Sequence, residues 1–519
     1  MIRNAKTIFV KDFTGGVNCV KNYELIEDNE FVATPDFGGS YNFYYKNGCI
    51  QKTKGYTKIN STTVSDTGVA GYRWYFTNLD TGAEQTETIC AFENSTTNDV
   101  GLYRLSGTTF TAITGGTTIT NPQNLCFASW KNNLYIASGV APIQKINVSG
   151  TTWTRANLTS TTMALTNPSY VLVHKDRLWI NGSSFGQIGQ VECSGYDDDD
   201  NWSGTEGDVF NTNYGDGDKV VAIKPLNDRL IIYKYNSIWV LEGDNLYNWQ
   251  QRANQKDIGC IAPYSIQDIG GVHIFLGEDN LYAFDGENIL PIGDSIKDFF
   301  YNINKDNLNK FVSCVYDGYY YLAMTSNSSS NNNVELLFSV ELFKTQQKKS
   351  FYLIKDRPIA SYILYTGSND SGDIYAISSS EGYFYKVNHS NYYDTENIKM
   401  IIQTKFFTFD TPMLTKEIYR LRLNVNRDYD RAALTLIKNI WYEYQWNYLI
   451  NYNPSGSSGL WDISNWDDAN WATDKAQQTI DIAVPSQLDC YSLSIVISHT
   501  EPYNFELYNT MLIGTLKEM

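Results

Sequence analysis

Two acidic turns are the segments of this sequence best suited to bind a metal ion. Asp197 to Asp200 are consecutive aspartates, and Asp216 and Asp218 alternate with glycines further along the chain. Oxygen-rich turns can bind Ca²⁺, which takes six to eight oxygen ligands. Neither turn has the spacing of an EF-hand loop. A solvated acidic loop is therefore the favoured interpretation, and a cation site is the alternative.

The histidines and the known catalytic motifs do not indicate an active site. The four histidines are His174, His273, His389 and His499, and no two of them have a metal-ligand spacing such as HxxxH. His174 and His273 lie in predicted strands, where we expect hydrogen-bonded core residues. The motifs GxSxG, GxxxxGK[ST] and HExxH do not occur. With 57 acidic residues, the sequence singles out no pair of glycosidase carboxylates. We predict that the protein is not an enzyme and has no catalytic residues, metal or cofactor.

Three tryptophans near the C-terminus could contact a ligand or a partner. Trp461, Trp466 and Trp471 recur every five residues. This spacing alternates faces in a strand, and it advances about 140° around a helix, so neither element would align the rings. We predict a loop with three anchors, which order the loop or contact another subunit. A sugar-stacking platform is the alternative.

The predicted β-strands that would support these residues repeat along the chain. An apolar or aromatic β run that ends at a glycine occurs at residues 102–107, 134–139, 178–182, 238–243 and 281–286, with looser copies at 319–324 and 374–377. The copies begin roughly 30 to 60 residues apart, which is the interval of radial or stacked repeats. We predict an all-β fold: an irregular β-propeller of about seven blades, with six or eight as alternatives, followed by a C-terminal β-sandwich. Gly107, Gly139, Gly243 and Gly286 are predicted to end blade strands in turns with positive φ.

The pattern divides the chain into three parts. Residues 1–60 are predicted to be a lead-in with a hairpin that partly closes the propeller, residues 61–397 the propeller, and residues 398–519 the sandwich with the tryptophan-bearing loop. One short helix is predicted on the rim of the fifth unit, with Asp294 or Ser295 as its cap. Its apolar residues would be Ile296, Phe299, Phe300 and Ile303, spaced i, i+3, i+4 and i+7.

Charge and cysteine content restrict the partners and the compartment. A net charge of −17 argues against a surface that grips nucleic acid, although an acidic wall is compatible with DNA passing nearby. The eight cysteines are dispersed, and we expect buried, reduced side chains. Residues 1–10 lack a continuous apolar region, and no segment approaches the ~20 apolar residues of a membrane span. We expect a soluble protein made in a reducing cytoplasm.

Several stretches resemble a known family when their order is considered. The first is the glycine-rich start around Phe13, Gly15, Gly16 and Asn18. The others are residues 196–202, 217–220, 228–243, 274–286, 296–300, 315–322 and 505–508, the last following the tryptophan loop. In this order they resemble the tail hub, or nozzle, proteins of short-tailed bacteriophages, including the packaged-DNA stabilisation proteins that close the portal channel. The resemblance spans most of the chain and rests on the order of the segments.

The resemblance implies a structural virion protein made in the bacterial host cytoplasm and located in the tail. It implies a homo-oligomer, a hexameric ring, stacked below the adaptor and portal, with tail fibres or other tail proteins attached outside. Its channel would retain packaged DNA and conduct it at infection without sequence-specific binding. The family supplies no active-site residues. The alternative is a carbohydrate- or receptor-binding β-propeller of a tail or cell-surface system, and a propeller hydrolase is a weaker third hypothesis.

Overall fold

The protein is nearly all β. The computed structural model describes residues 5–516 except for 62, 65–66, 79, 123, 159, 161, 185, 204–206, 214, 246, 367–371, 427–431, 440–445, 453–476, 485–488 and 503. Within these residues there is one α-helix, α1 (Val340–Gln346), and there are three 3-10 helices, Pro263–Ser265, Lys297–Tyr301 and Lys305–Lys310.

The strands fall into an N-terminal set, a long central series and a C-terminal set. The N-terminal strands are β1 (Ala5–Val10), β2 (Gly16–Asn18), β3 (Glu30–Thr34), β4 (Gly38–Gly39), β5 (Phe43–Lys46), β6 (Cys49–Lys52) and β7 (Tyr56–Lys58). The first half of the central series is β8 (Thr67–Thr77), β9 (Glu84–Glu93), β10 (Val100–Ser106), β11 (Thr109–Ile113), β12 (Cys126–Trp130), β13 (Asn133–Ala137), β14 (Gln144–Ser149), β15 (Thr152–Asn157), β16 (Val171–His174), β17 (Arg177–Asn181), β18 (Gln190–Cys193) and β19 (Asp208–Asn211).

The second half of the central series is β20 (Val220–Leu226), β21 (Arg229–Lys234), β22 (Ser237–Glu242), β23 (Gln250–Lys256), β24 (Gln267–Asp268), β25 (His273–Leu276), β26 (Leu281–Phe284), β27 (Ile289–Pro291), β28 (Val312–Tyr316), β29 (Tyr319–Met324), β30 (Val334–Ser339), β31 (Phe351–Lys355), β32 (Ile359–Leu364), β33 (Ile374–Ser378) and β34 (Phe384–Val387). The C-terminal strands are β35 (Tyr392–Tyr393), β36 (Glu396–Asn397), β37 (Met400–Gln403), β38 (Lys416–Asn426), β39 (Ala432–Asn439), β40 (Trp446–Tyr452), β41 (Gln477–Ala483), β42 (Asp489–Cys490), β43 (Ser492–His499) and β44 (Glu506–Leu516).

The central series forms a β-propeller-like arrangement. Among the described residues, six successive groups of four strands, from β8–β11 to β28–β31, pair consecutively as antiparallel meanders. The next sheet, β32–β33–β34, gains its fourth strand from β7. We call the first strand of each sheet its inner strand. Each inner strand, or the 3-10 helix just before β24, contacts the next inner strand, and β32 contacts β8. The sheets therefore close on themselves as a ring.

The repeated apolar phrase occupies middle strands, but not always the same one. It is the second strand of its sheet in β13 and β17, and the third in β10, β22 and β26. All four residues of β26 and all five of β17 are buried. Where neighbouring sheets cover both faces of a middle strand, as in these two strands, its sequence is largely apolar rather than alternating. Strand β10 is covered less completely, and only two of its seven residues are buried. The phrase thus marks burial rather than a fixed position in the repeat.

The N-terminal strands are distributed among other sheets. Strand β2 lies parallel to β31, with Gly16 opposite Phe351, and β3 and β4 extend that sheet further. A Cβ on Gly16 would lie 2.4 Å from the Phe351 carbonyl oxygen, and its φ is 74°. Only glycine permits this approach and this backbone conformation. Strands β1 and β6 pair with β44, and β5 pairs with β6.

The C-terminal residues form two antiparallel sheets. One has the order β41-β38-β44-β6-β5 with β1 and β42 attached, and the other has the order β37-β43-β39-β40. Both contribute to a single buried cluster, which contains Ile418, Leu421, Leu423, Ile480, Ile495, Ile497 and Leu512. The same cluster includes Phe13 and Phe43 from the N-terminal segment and Tyr320 and Phe351 from the sixth sheet. The C-terminal sheets and the ring therefore share one apolar core.

The predicted short helix differs from the expectation in type and in capping. Residues 297–301 form a 3-10 helix whose N-cap is Ile296, and no side chain caps it. Asp294 instead accepts a hydrogen bond from the Asn280 amide at 3.0 Å, so the capping prediction was wrong. Its apolar side chains Ile296, Phe299, Phe300 and Ile303 are all buried. Their packing, including Phe299 stacked on Phe37 at 4.9 Å, stabilises this turn without a cap.

All eight cysteines are buried and form no disulfide, as the sequence predicted. Burial raises the pKa of the Cys126 thiol to about 11, so this thiol stays protonated at neutral pH and is a poor nucleophile. In the described part of the chain, no helix has the length and apolar character needed to cross a membrane.

Candidate functional site at the ring axis

Hydrogen bonds between neighbouring sheets tie the ring together at its axis. In each case a side chain on one inner strand bonds to the backbone at the start of the next sheet. The pairs are Cys126 Sγ to Val171 O at 3.2 Å, Lys224 Nζ to Ile266 O at 3.3 Å, Gln267 Nε2 to Ser313 O at 2.9 Å, and the Gly71 N–H to Ser361 Oγ at 3.1 Å. We call this set the axial belt. Because the belt joins adjacent inner strands directly, it leaves little free space between them.

A cavity of about 340 Å³ opens at one end of this axis. It lies where β12, β16 and β20 begin and where β13 and β17 end, since residues from each of these places line it. Its described lining includes Val140, Tyr170, Lys219 and Tyr264, and contains no aspartate or glutamate. In a chain of net charge −17, this is a locally non-acidic site.

Asn181 shapes the wall of the cavity. It is the last residue of β17 and is 1% exposed. Its side-chain oxygen accepts hydrogen bonds from the backbone N–H of Tyr170 at 2.8 Å and of Ser169 at 3.2 Å, and its amide nitrogen donates to Val220 O at 3.4 Å. One amide thus holds together the starts of two inner strands. A buried amide with these bonds is costly to replace.

Two stacked tyrosines form another part of the wall. The rings of Tyr170 and Tyr264 have centroids 6.0 Å apart and are inclined by 27°. Desolvation by burial raises the pKa of both hydroxyls well above the ordinary value. Both therefore remain protonated at neutral pH and can donate a hydrogen bond. Neither hydroxyl has a hydrogen-bond partner among the residues that the structure describes.

The first acidic turn is an ordered loop held by basic and aromatic residues. The carboxylates of Asp198, Asp199 and Asp200 come within 4.8 Å of one another. Asp199 accepts hydrogen bonds from Lys145 Nζ and the Tyr135 hydroxyl, both at 2.6 Å. Although burial raises the pKa of Asp199, these bonds and the Lys145 charge bring it below its ordinary value. A protein cation already neutralises the central carboxylate, so the arrangement favours the solvated-loop interpretation.

The second acidic turn neutralises a buried lysine. The Lys234 side chain is fully buried, and its Nζ lies 2.7 Å from Asp216 Oδ2 and 3.9 Å from Asp218 Oδ2. It also donates to Thr212 O at 2.8 Å. A buried ammonium needs such partners, which explains why the aspartates stand at this position.

The histidines differ in their surroundings. His273 is fully buried between the Tyr233 hydroxyl, 2.9 Å from Nδ1, and Pro225 O, 3.1 Å from Nε2. Burial lowers its pKa to about 4, so it is a neutral core residue of the predicted kind. His174 is half-buried at the end of β16, His389 is exposed, and His499 is buried. They lie on separate elements.

The remaining predicted site residues have different outcomes. Trp461, Trp466 and Trp471 lie outside the described residues. The glycines have positive φ, with values of 61° for Gly107, 77° for Gly139, 124° for Gly243 and 99° for Gly286. Gly107 and Gly243 directly follow the last residue of a strand, and Gly139 and Gly286 come one residue later.

The structure also contains a buried ion pair that no sequence pattern indicates. Arg357 Nη1 lies 3.0 Å from Glu335 Oε2, and both side chains are fully buried. Arg357 Nη2 donates to Thr53 Oγ1 at 3.1 Å, to Asn388 Oδ1 at 2.7 Å, and to the Lys54 carbonyl. We call this group the arginine junction. It joins the sixth sheet to the segment between β6 and β7 and to the end of β34, contacts 22 to 304 residues apart in sequence.

Comparisons with known proteins show only distant likenesses. No protein-family model and no curated protein matches the chain. Solved structures that resemble it include YCF48 bound to a D1 peptide, with 9% identity over 67% of this chain and 99% of that chain and a TM-score of 0.36. BamB from Moraxella catarrhalis has 9% identity over 66% of this chain and 95% of that chain, with a TM-score of 0.36. The extracellular domain of a one-component system from B. thetaiotaomicron has 10% identity over 86% of this chain and 62% of that chain, with a TM-score of 0.41.

Proposed function

We propose that the chain is a structural subunit of a ring-shaped phage tail nozzle or hub, which extends the portal channel, retains packaged DNA and conducts it at infection. The proposal starts from the ordered sequence resemblance. The observation that carries it in the structure is the distribution of the N-terminal strands. Strand β2 joins the sixth sheet, β7 completes the seventh, and β1 and β6 join a C-terminal sheet. One segment thereby joins the sixth sheet, the seventh sheet and a C-terminal sheet.

Sheets that share strands in this way suit a subunit that must resist mechanical force. Domains joined by a small polar interface normally move relative to each other. Here the C-terminal sheets and the ring share hydrogen-bonded strands and a common apolar core. A subunit that must hold its position around pressurised DNA benefits from such rigidity. In this proposal the ring has seven blades, and the two C-terminal sheets are the faces of a sandwich.

The proposed DNA channel is not the axis of the propeller itself. The axial belt joins neighbouring inner strands at distances of 2.9 to 3.3 Å. Seven inner strands in direct contact with their neighbours enclose an opening too narrow for a B-DNA duplex, whose major groove alone is about 12 Å wide. The conduit must therefore be the central opening of a ring of several copies, and we expect six.

The net negative charge of the chain suits a channel through which DNA passes better than a surface that binds DNA. A protein that binds the DNA backbone neutralises phosphates with lysine and arginine. This chain has 40 such residues against 57 acidic ones. Repulsion would keep the duplex away from the channel wall and let it slide.

The test is assembly of the purified full chain. Its mass would be measured by light scattering, and its shape by negative-stain electron microscopy, alone and with the portal and adaptor proteins of the same genome. We expect a closed ring, sixfold and with an opening wide enough for duplex DNA, either alone or on the adaptor. A monomer under both conditions, at a concentration where the portal complex itself is intact, would overturn the proposal.

A further inference from the structure

The proposed function leaves the axial cavity unexplained. Its volume of about 340 Å³ lies within the range of small-molecule sites. It stands at the end of the ring axis, where residues from several sheets line it. Such convergence from different sheets positions a ligand from several directions at once.

Most polar groups around the cavity are already used by the protein. Asn181 bonds three backbone groups, and the Ser138 hydroxyl accepts from the backbone N–H of Ala141 at 3.1 Å. These residues build the wall and are not available to a ligand without breaking it.

A smaller set of polar groups has no hydrogen-bond partner among the described residues. It comprises the hydroxyls of Tyr170 and Tyr264, the Lys219 ammonium and the Asn121 amide. Tyr170 is 7% exposed, and its unpaired hydroxyl is not sealed from solvent. A buried, protonated hydroxyl without a protein partner is costly unless water or a ligand bonds to it.

The chemistry of this set selects a class of ligand. Hydroxyls and an amide both donate and accept, and the ammonium only donates. The lining contains no carboxylate to attract a cation. Between the polar groups the wall is apolar, with Val140, Val221 and Ile261. A pyranose sugar matches this arrangement, because it has hydroxyls around its edge and an apolar C–H face.

We propose that the axial cavity binds a monosaccharide-sized pyranose, with Lys219 facing a carboxylate on the sugar. A sugar acid such as a uronic acid therefore fits better than a neutral hexose. The inference does not rest on ring assembly.

The experiment measures binding of D-glucuronate, D-glucose and D-galactose to the full chain by calorimetry and by saturation-transfer NMR, with each sugar at up to about 20 mM, a range that detects millimolar affinity. We expect saturable binding, with glucuronate the tightest. Tyr170→Phe removes one hydroxyl and keeps the stacked ring, and should weaken binding about threefold to tenfold. Lys219→Ala should weaken glucuronate alone, by about twofold to fivefold.

Two further variants keep the test decisive. Val140 is 45% exposed at the cavity mouth, so Val140→Trp should block the cavity without disturbing the core and abolish binding. Tyr352→Phe alters a buried tyrosine of β31 that does not line the cavity, and should leave binding unchanged. Absence of saturable binding by all three sugars, or binding that survives Val140→Trp, would overturn the inference. Equal weakening of glucose and glucuronate by Lys219→Ala would overturn the role given to Lys219.

Discussion

The arginine junction gives the sharpest test of how the N-terminal segment is held. Replacing Arg357 with methionine keeps an unbranched chain of similar length but removes the guanidinium. Glu335 would then be a fully buried carboxylate without its cation. Thr53 and Asn388 would lose their donor at 3.1 and 2.7 Å. Breaking a buried ion pair from one side costs about 3–5 kcal/mol, and we expect Arg357→Met to fall in this range.

The loss of stability in Arg357→Met should be greatest where the arginine junction contacts the N-terminal segment, at Thr53 and Lys54. Residues 53–58 connect it to β7, the strand that completes the seventh sheet. If the junction is what holds this segment, hydrogen exchange there should accelerate by roughly two to three and a half orders of magnitude, the equivalent of 3–5 kcal/mol. Exchange in the second sheet, β12–β15, should change much less, because it lies away from the segment.

Two further variants separate the ion pair from a general effect of losing an arginine. Arg420 pairs with Asp481 at 3.3 Å but is 48% exposed, so Arg420→Met should cost no more than about 1 kcal/mol. Replacing both junction partners, as Arg357→Met with Glu335→Leu, should recover part of the loss, because no charge then remains buried. The reasoning would be refuted if Arg357→Met unfolded at the same urea concentration as Arg420→Met and left exchange at residues 53–58 unchanged.

Other outcomes follow from single sites. Glu192 is buried and accepts the backbone N–H groups of Ala164 and Leu165 at 2.8 Å each; burial, outweighing these bonds, raises its pKa from 4.5 to about 7. Because the folded-state pKa is raised, the contribution of Glu192 to stability is fully present below pH 4.5 and is lost as the pH rises through about 7. Between pH 5 and pH 8 the unfolding free energy of the native chain should therefore fall by about 2–3 kcal/mol more than that of Glu192→Gln. Urea titrations that show equal changes for the two proteins would contradict this. A Cβ on Gly243 would lie 2.4 Å from Trp249 Cδ1, whereas a Cβ on Gly107 would contact nothing within 4 Å. Gly243→Ala should therefore destabilise the protein by about 1–3 kcal/mol more than Gly107→Ala. Equal melting temperatures of the two variants would contradict this. Gly286, with φ of 99°, should not tolerate valine, and a Gly286→Val protein with unchanged melting would exclude a structural role for that turn. Duplex DNA should bind the isolated chain more weakly than about 10⁻⁴ M even in low salt, and a salt-sensitive micromolar complex in a mobility-shift assay would contradict the conduit proposal.

The apolar strands of the central series could be predicted from the sequence because other parts of the fold cover both of their faces. The strands that carry the repeated phrase are short and largely apolar, and a glycine lies at or just beyond their end, as Gly286 does two residues after β26. This local signal requires no knowledge of the partners. The same reasoning failed for residues 297–301, where periodicity suggested a capped helix. Tertiary packing of Phe299 and Phe300 stabilises a 3-10 turn there instead, and short periodic segments are often decided by their surroundings.

The cavity and the arginine junction were not predictable, for a different reason. Tyr170 precedes β16, and Tyr264 lies in a 3-10 helix before β24, nearly a hundred residues later. Nothing in either local sequence indicates that their rings stack. Arg357 and Thr53 are 304 residues apart, and neither residue type is unusual in its place. Sites built by ring closure depend on distant segments meeting, which periodicity and spacing do not report.

Because β7 completes the seventh sheet, the stability of that sheet depends on the N-terminal strands of the chain. Tyr56 of β7 pairs with Val387 of β34, so the seventh sheet is incomplete until residues separated by most of the chain have met. Such non-local contacts form late in folding. The same lead-in places β1 and β6 against β44, which couples completion of the ring to completion of a C-terminal sheet. A lesion in the lead-in should therefore loosen both at once, whereas a lesion within β12–β15 should remain local. In the proposed tail ring, a subunit whose propeller is not yet closed would therefore also lack a complete C-terminal sheet, and it could not present the surface of that sheet to neighbouring subunits.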